Sequence, residues 1–253
     1  MNISQLNKNI GQNIVTKQIR YDLEIISDMI DLGSKVLDIG CGDGELLYFL
    51  KNTKNIDVRG IEISQELVTK AIKKSIPVIQ GDGEKDLEFY PNHNFDYAIL
   101  SQTIQATQNP KKMLEEMLRI ARFAIISLPN FANFKNRFQL LTLGKMPVNK
   151  NLPFSWYNTP NIHFCSIKDF ENLCNELDFQ INKKIFLTTK SKSLKILNYD
   201  IAPNLLADFG IFMISKNELC LTPQEQYVTN KAINSSIFGI NKPIASNNKR
   251  LDR

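Results

Sequence analysis

One run of ten residues constrains this chain more than any other: Val36-Leu37-Asp38-Ile39-Gly40-Cys41-Gly42-Asp43-Gly44-Glu45. The apolar stretch Val36 to Ile39 reads as a buried parallel strand. Glu45-Leu46-Leu47-Tyr48-Phe49-Leu50 reads as the helix that follows it. Between them stand three glycines at alternate positions. Glycine lets the main chain turn sharply and leaves no Cβ between it and a ligand. The helix start presents free N–H groups and the positive end of its dipole. A strand, a glycine loop and a helix in this order suit a small, partly anionic molecule.

The spacing narrows the choice. Dinucleotide sites use G-x-G-x-x-G, with a pyrophosphate at the helix start. Here the pattern is G-x-G-x-G, with Asp38 before it and Asp43 inside it. Two carboxylates at the loop repel a pyrophosphate and suit a ligand that carries a cationic amine. The next strand, Val58-Arg59-Gly60-Ile61-Glu62, ends in a carboxylate 22 residues after Gly40, where a ribose diol is gripped. This D-x-G-x-G-x-G run with a following acid resembles the first motif of class I S-adenosyl-L-methionine (SAM) methyltransferases. The bland alternative is a tight turn that holds nothing. Cys41 reads as a small residue between glycines, with a redox role as its alternative.

At 253 residues the chain can bury a full core. Its hydrophobic content of 43% and charged content of 23% are those of an ordinary globular protein. The net charge of +5 is too small to argue for nucleic-acid binding. No apolar run approaches the roughly 18–20 residues that span a bilayer. The opening Met1-Asn2-Ile3-Ser4-Gln5 lacks the apolar centre of a signal peptide. Cys41, Cys165, Cys174 and Cys220 show no C-x-x-C spacing and no metal-like cluster with histidine. The expectation is a cytoplasmic chain with reduced, structural cysteines, no metal and no membrane segment.

Residues 1–12 read as a flexible N-terminus. Ile19, Leu23, Ile26 and Ile30 recur at helical spacing, and Gly33 suits the stop. This helix is expected to cover the sheet edge before the first strand. Ser64 is a helix cap, Pro77 to Gln80 a third strand, and Phe95 to Leu100 a fourth. Asn109-Pro110 starts a helix whose apolar face is Met113, Leu114, Met117, Leu118 and Ala121. Phe123 to Leu128 is a fifth strand. Ser166 caps a last helix, and strands follow near 179–188 and 209–214. The alternation predicts an α/β, Rossmann-like fold: a mainly parallel seven-stranded sheet with helices on both faces. The domain runs over 13–216, and 217–253, rich in Asn, Lys and Ser, reads as a disordered tail.

In open α/β sheets the ligand lies across the carboxyl ends of the strands. The candidate binding residues there are Asp38, Gly40, Cys41, Gly42, Gly44, Glu62, Asp82 and Ser101. Asp82 reads either as an acceptor for an adenine amino group or as a turn residue between glycines. The segment Ser101-Gln102-Thr103 offers hydroxyls and amides but no carboxylate or imidazole to take a proton. It is neither the Asn/Asp-Pro-Pro-aromatic of adenine-amino methyltransferases nor the Pro-Cys of cytosine-methylating enzymes. Methyl donation can still proceed by proximity to an already nucleophilic acceptor. No catalytic residue is assigned.

Residues 129–165 form a 37-residue insertion after the fifth strand, long enough to be functional. This lid carries Phe131, Phe134, Phe138, Phe154, Trp156, Tyr157 and Phe164. No Asp or Glu occurs from Met117 to Lys168, a span that holds seven Lys or Arg. Such a lid covers an anionic ligand, or docks a partner through Trp156 and Tyr157 with Arg137, Lys145 and Lys150 at the rim. A cap that fills its own small core and an RNA surface of stacked aromatics are the other readings. His163 reads as a structural hydrogen bonder, with a catalytic base as its alternative.

Several runs together are similar to one family, the methionine-biosynthesis protein MetW. They are VLDIGCGDGELL (36–47), PVIQGD (77–82), FDYAILSQTIQAT (95–107), MLEEMLRIARFAIISLPNF (113–131), LPFSWYNTPNIHFCSIKDFENLC (152–174) and PNLLADFGIFMIS (203–215). Phe131-Ala132-Asn133-Phe134 departs from the family's usual Phe-Gly-His-Trp. The resemblance implies a class I methyltransferase fold that binds SAM or S-adenosyl-L-homocysteine (SAH). It also implies a role as the partner of a homoserine O-acyltransferase (MetX). A methyltransferase fold does not prove methyl transfer. The leading expectation is an accessory subunit, and the alternative is an autonomous small-molecule methyltransferase.

Overall fold

The computed structural model describes residues 19–149, 152–190, 193–196 and 202–217. The chain divides into two compact units, 1–215 and 216–253. The N-terminal stretch 1–12, the tail beyond 217, Cys220 and Lys150 fall outside the described residues.

The chain runs through α1 (Tyr21–Asp28), β1 (Lys35–Ile39), α2 (Glu45–Lys54), β2 (Asp57–Glu62), α3 (Gln65–Lys73) and β3 (Val78–Gln80). It continues through α4 (Gly83–Asp86), β4 (Phe95–Ser101), α5 (Pro110–Ile120), β5 (Ala121–Pro129) and α6 (Phe134–Leu143). Last come α7 (Ile167–Glu176), β6 (Phe179–Lys190), β7 (Ser193–Ile196), α8 (Pro203–Leu206) and β8 (Phe209–Lys216). One sheet has the order β3-β2-β1-β4-β5-β8-β6-β7. Strands β1 to β5 pair in parallel, and β8 runs antiparallel to β5. The seven expected strands are present. An eighth, β7, pairs antiparallel with β6 and extends that edge.

The cores follow from strand alternation, since successive side chains point to opposite faces. Leu37, Ala98, Leu100, Ile126 and Leu128 point to one cluster, with Met113, Leu114 and Met117 of α5 and Phe170 of α7. Val36, Tyr97, Ile99 and Ile125 point to the other, with Leu23 and Ile26 of α1 and Leu47 and Leu50 of α2. Each such side chain contributes about 1.5–3 kcal/mol when fully buried. The α1 helix therefore lies on a sheet face, and not over an edge as expected, because β1 is central to the sheet. Ala121 begins β5 directly after α5, so it belongs to the strand and not to the helix face.

The caps are where the side chains place them. Ser64 Oγ accepts from the Leu67 N–H at 3.5 Å, and Asn109 Oδ1 from the Lys112 N–H at 3.1 Å. Ser166 and Asp169 form a reciprocal capping box. These starts orient the helices so that every parallel strand delivers its carboxyl end to one side. The chain visits β2 and β3 on one flank of β1, then β4 and β5 on the other. The crevice where this order switches lies between β1 and β4.

Tight packing of β1 on β2 fixes the wall of that crevice. A Cβ on Gly60 would stand 2.5 Å from Cys41 Sγ and 3.0 Å from Leu47 Cδ1. Gly60→Ala should therefore destabilise the protein by about 1–3 kcal/mol. Cys41→Ala in the same chain should restore part of the loss, as read from urea unfolding of the single and double variants. An additive result would show that the thiol is not what Gly60 accommodates.

Candidate functional site

The glycine loop turns through three left-handed residues, Gly40 (φ 73°), Gly42 (φ 59°) and Gly44 (φ 74°). Side chains with a Cβ rarely adopt this region, so the spacing of glycines is a backbone requirement. The loop is tied to β2 by the Gly40 and Cys41 N–H groups, which donate to the Ile61 carbonyl at 2.8 and 3.1 Å. On the far side of the crevice, the Thr103 hydroxyl lies 3.1 Å from where a Gly40 Cβ would stand. Above Gly42 nothing lies within 4 Å of such a position, so the main chain is open there.

Glu62 closes the loop. Its carboxylate accepts from the Gly42 N–H and the Ser64 N–H, each at 2.9 Å. Both oxygens keep a second lone pair, and the residue is buried at the end of β2. Asp38 lies beside it, 3% exposed, and its Oδ1 has no hydrogen-bond partner. Burial, and then the Glu62 charge, push the Asp38 carboxyl up to about 7. An orphaned buried acceptor is costly unless something occupies it. The two crowding carboxylates are thus Asp38 and Glu62. Asp43 is instead neutralised by Lys74 at 2.7 Å.

The remaining candidates divide. Cys41 packs on Gly60, and its thiol is pushed up by burial and by the Asp38 and Glu62 charges, which disfavours the reactive thiolate. Ser101 ends β4 and exchanges a hydrogen bond with the Ser127 hydroxyl at 3.1 Å. Asp82 caps the short α4, accepting from the Glu84 N–H at 3.1 Å, and pairs with Lys85 at 2.9 Å. It stands at the end of β3, partly exposed, already engaged in a local turn of helix. Among the described residues no group of three or more His, Cys, Asp and Glu side chains is placed to hold a metal.

Sequence reasoning missed a link between α1 and the crevice. Arg20 forms a two-pronged pair with the buried Asp22, at 2.7 and 3.2 Å. Asp22 Oδ2 also accepts from the Gln102 side chain at 3.0 Å. Gln102, held at φ 53°, donates its N–H to the Ser127 carbonyl and accepts from the Gln105 side chain through its own carbonyl. The Gln105 carbonyl in turn takes the N–H groups of Ile162 and His163 at 2.8 and 2.9 Å, which seats the lid on this segment. The His163 side chain is exposed. The available signal was Asp22 itself, an acid on the Ile19-Leu23-Ile26 face of a helix. Within the lid, the Phe131 and Phe164 rings lie 4.8 Å apart. With Met146, Leu152, Phe154 and Trp156 they line a small apolar depression that opens to solvent.

The raised Asp38 carboxyl has a consequence for stability. The folded protein holds this proton to about pH 7, whereas the unfolded chain releases it near 3.8. Between these values the folded state binds the extra proton, so the stability of the ligand-free protein falls as pH rises. Asp38→Asn should remove that contribution and stabilise the ligand-free protein at about pH 8 by roughly 1–3 kcal/mol. Urea unfolding at several pH values reads both effects. A destabilised Asn variant with an unchanged pH slope would contradict the assignment.

Comparison with known proteins gives this geometry its relatives. The family model of "Methionine biosynthesis protein MetW" matches residues 20–214. The bifunctional methionine biosynthesis protein MetXA/MetW of Rhodopirellula baltica is 35% identical over 202 residues, 76% of this chain and 32% of the relative. This chain therefore spans about a third of that protein's length. An uncharacterised protein of Methanocaldococcus jannaschii is 33% identical over 164 residues, 64% of this chain and 71% of its own. Among solved structures, a SAM-dependent methyltransferase of Thermotoga maritima, titled a possible histamine N-methyltransferase, aligns with a TM-score of 0.58 at 19% identity. It covers 78% of this chain and 87% of its own. The [4+2]-cyclase SpnF aligns with a TM-score of 0.55 at 15% identity, over 77% of this chain and 80% of its own. The fold is that of the class I SAM-dependent methyltransferases. The chain belongs to the methionine biosynthesis protein MetW family.

Proposed function

We propose that this protein binds SAM or SAH in the crevice between β1 and β4 and serves a homoserine O-acyltransferase (MetX) as an accessory subunit in methionine biosynthesis. The observation that carries the ligand is the buried pair Asp38 and Glu62 at a left-handed glycine loop. The orphaned Asp38 oxygen suits the cationic amine of the ligand. Glu62 has lone pairs left for a ribose diol, and the open main chain at Gly42 admits close approach. Gly40, Gly44 and Ser101 shape the walls, and Asp82 stands at the end of β3 for the adenine. A bound SAM would supply a sulfonium-activated methyl group; the residues described here bind and orient. The observation behind the partner is the Rhodopirellula baltica relative, whose name joins MetXA and MetW in one protein.

The second reading, an autonomous methyltransferase, is favoured by His163, whose main chain sits on the Gln105 carbonyl beside the crevice. Against it, Ser101 bonds to Ser127, Gln102 to Asp22 and Thr103 to the Ser101 carbonyl, and none of these groups is a base. The cyclase neighbour carries the same fold under another activity.

Calorimetry with SAM and SAH tests the ligand. Glu62→Ala should weaken binding by roughly 1.5–3 kcal/mol, since it removes a charged acceptor and frees the Gly42 and Ser64 N–H groups. Failure of the folded wild type to bind either compound would refute the reading. The isolated protein should also release SAH from SAM slowly with simple hydroxyl or amine acceptors. Brisk turnover that disappears in His163→Ala would establish the second reading instead.

A further inference from the structure

The helix α6 is built inside out. The side chains that tie it to the domain are amides. Asn133, its cap, donates to the Ala207 carbonyl at 2.9 Å, and Asn136 donates to the Phe131 carbonyl at 3.0 Å. Asn136 also accepts from the Asn149 side chain at 2.8 Å, and it is the buried residue of the helix. Phe134, Phe138 and Leu141 follow at i, i+4 and i+7, so they share one face. They stand 45%, 66% and 85% exposed. A surface helix ordinarily turns its apolar face to the core and its polar face to water. Here the reverse holds, and an apolar ridge of this spacing is what amphipathic helices insert into a groove on a partner.

The exposed charge around the ridge is basic; the acid against α6, Asp208, is buried and pairs with Lys135 at 3.5 Å. Lys135 and Arg137 on the helix and Lys145 just beyond it are exposed, and no acid occurs between Met117 and Lys168. The complementary surface is apolar at its centre and acidic at its rim. A relative whose name joins MetXA and MetW in one protein points to the acyltransferase as the partner. We propose that the Phe134–Phe138–Leu141 ridge of α6 docks into an apolar, acid-rimmed groove of homoserine O-acyltransferase; this rests on the accessory-subunit reading above. The ridge makes the lid a binding element in its own right, with Arg137 steering the approach.

The test uses the full chain with Phe138→Asp and Leu141→Asp together, both at exposed positions where folding is spared. Affinity for the acyltransferase and for SAH is measured on the same preparation. The double variant should bind the acyltransferase about thirtyfold more weakly or worse, with SAH affinity unchanged. Arg137→Glu should slow association, most at low salt. Undiminished acyltransferase affinity in the double variant overturns the ridge and leaves the accessory reading standing. A wild-type chain that binds no acyltransferase overturns both. If the double substitution abolishes self-association, or binding to phosphatidylglycerol vesicles, while acyltransferase affinity persists, the ridge serves a second copy or a membrane and the proposal fails.

Discussion

The site depends on one carboxylate. By accepting from the Gly42 and Ser64 N–H groups, Glu62 ties the loop after β1 to the start of α3. Gly60, two residues earlier in β2, leaves room for Cys41 beneath the same loop. The loop, the strand end and the helix start are thus one unit, and a change in any of them moves the others. The same tie places a buried charge beside Asp38. This strains the ligand-free site, because two carboxylates share a space from which water is excluded. Binding sites commonly carry such local destabilisation, relieved when the ligand arrives.

The opposite wall is organised through Gln102 and Gln105. Their main chains and amides gather Asp22 of α1, Ser127 of β5 and the base of the lid at Ile162 and His163. This arrangement positions elements around the crevice, with Asp38 Oδ1 and Gln105 Oε1 left as buried acceptors without a hydrogen bond. The inverted polarity of α6 belongs to the same picture: its amides anchor it and its apolar residues stay available.

Much of this was legible in the sequence, for local reasons. The left-handed glycine loop and the caps at Ser64, Asn109 and Ser166 are set by short-range geometry that residue type dictates. What was not legible is tertiary. Nothing near Arg20 announces that its partner Asp22 also reaches Gln102, 80 residues away. Asp82 read as an adenine acceptor or a turn residue, and not as a helix cap, because α4 is a single turn, too short for a periodic pattern. The α6 helix escaped because hydrophobic periodicity reads a core face, and its core face is asparagine. The sheet face taken by α1 could be known only once β1 was seen to be central.

The most direct test of the account is the initial rate of acyl transfer by homoserine O-acyltransferase, measured with and without this protein at matched concentrations. The account predicts a saturable rise in rate that follows complex formation. It predicts the same rise with SAH in place of SAM, since no methyl group is consumed. An acyltransferase that runs at full rate alone and is indifferent to this protein would contradict it.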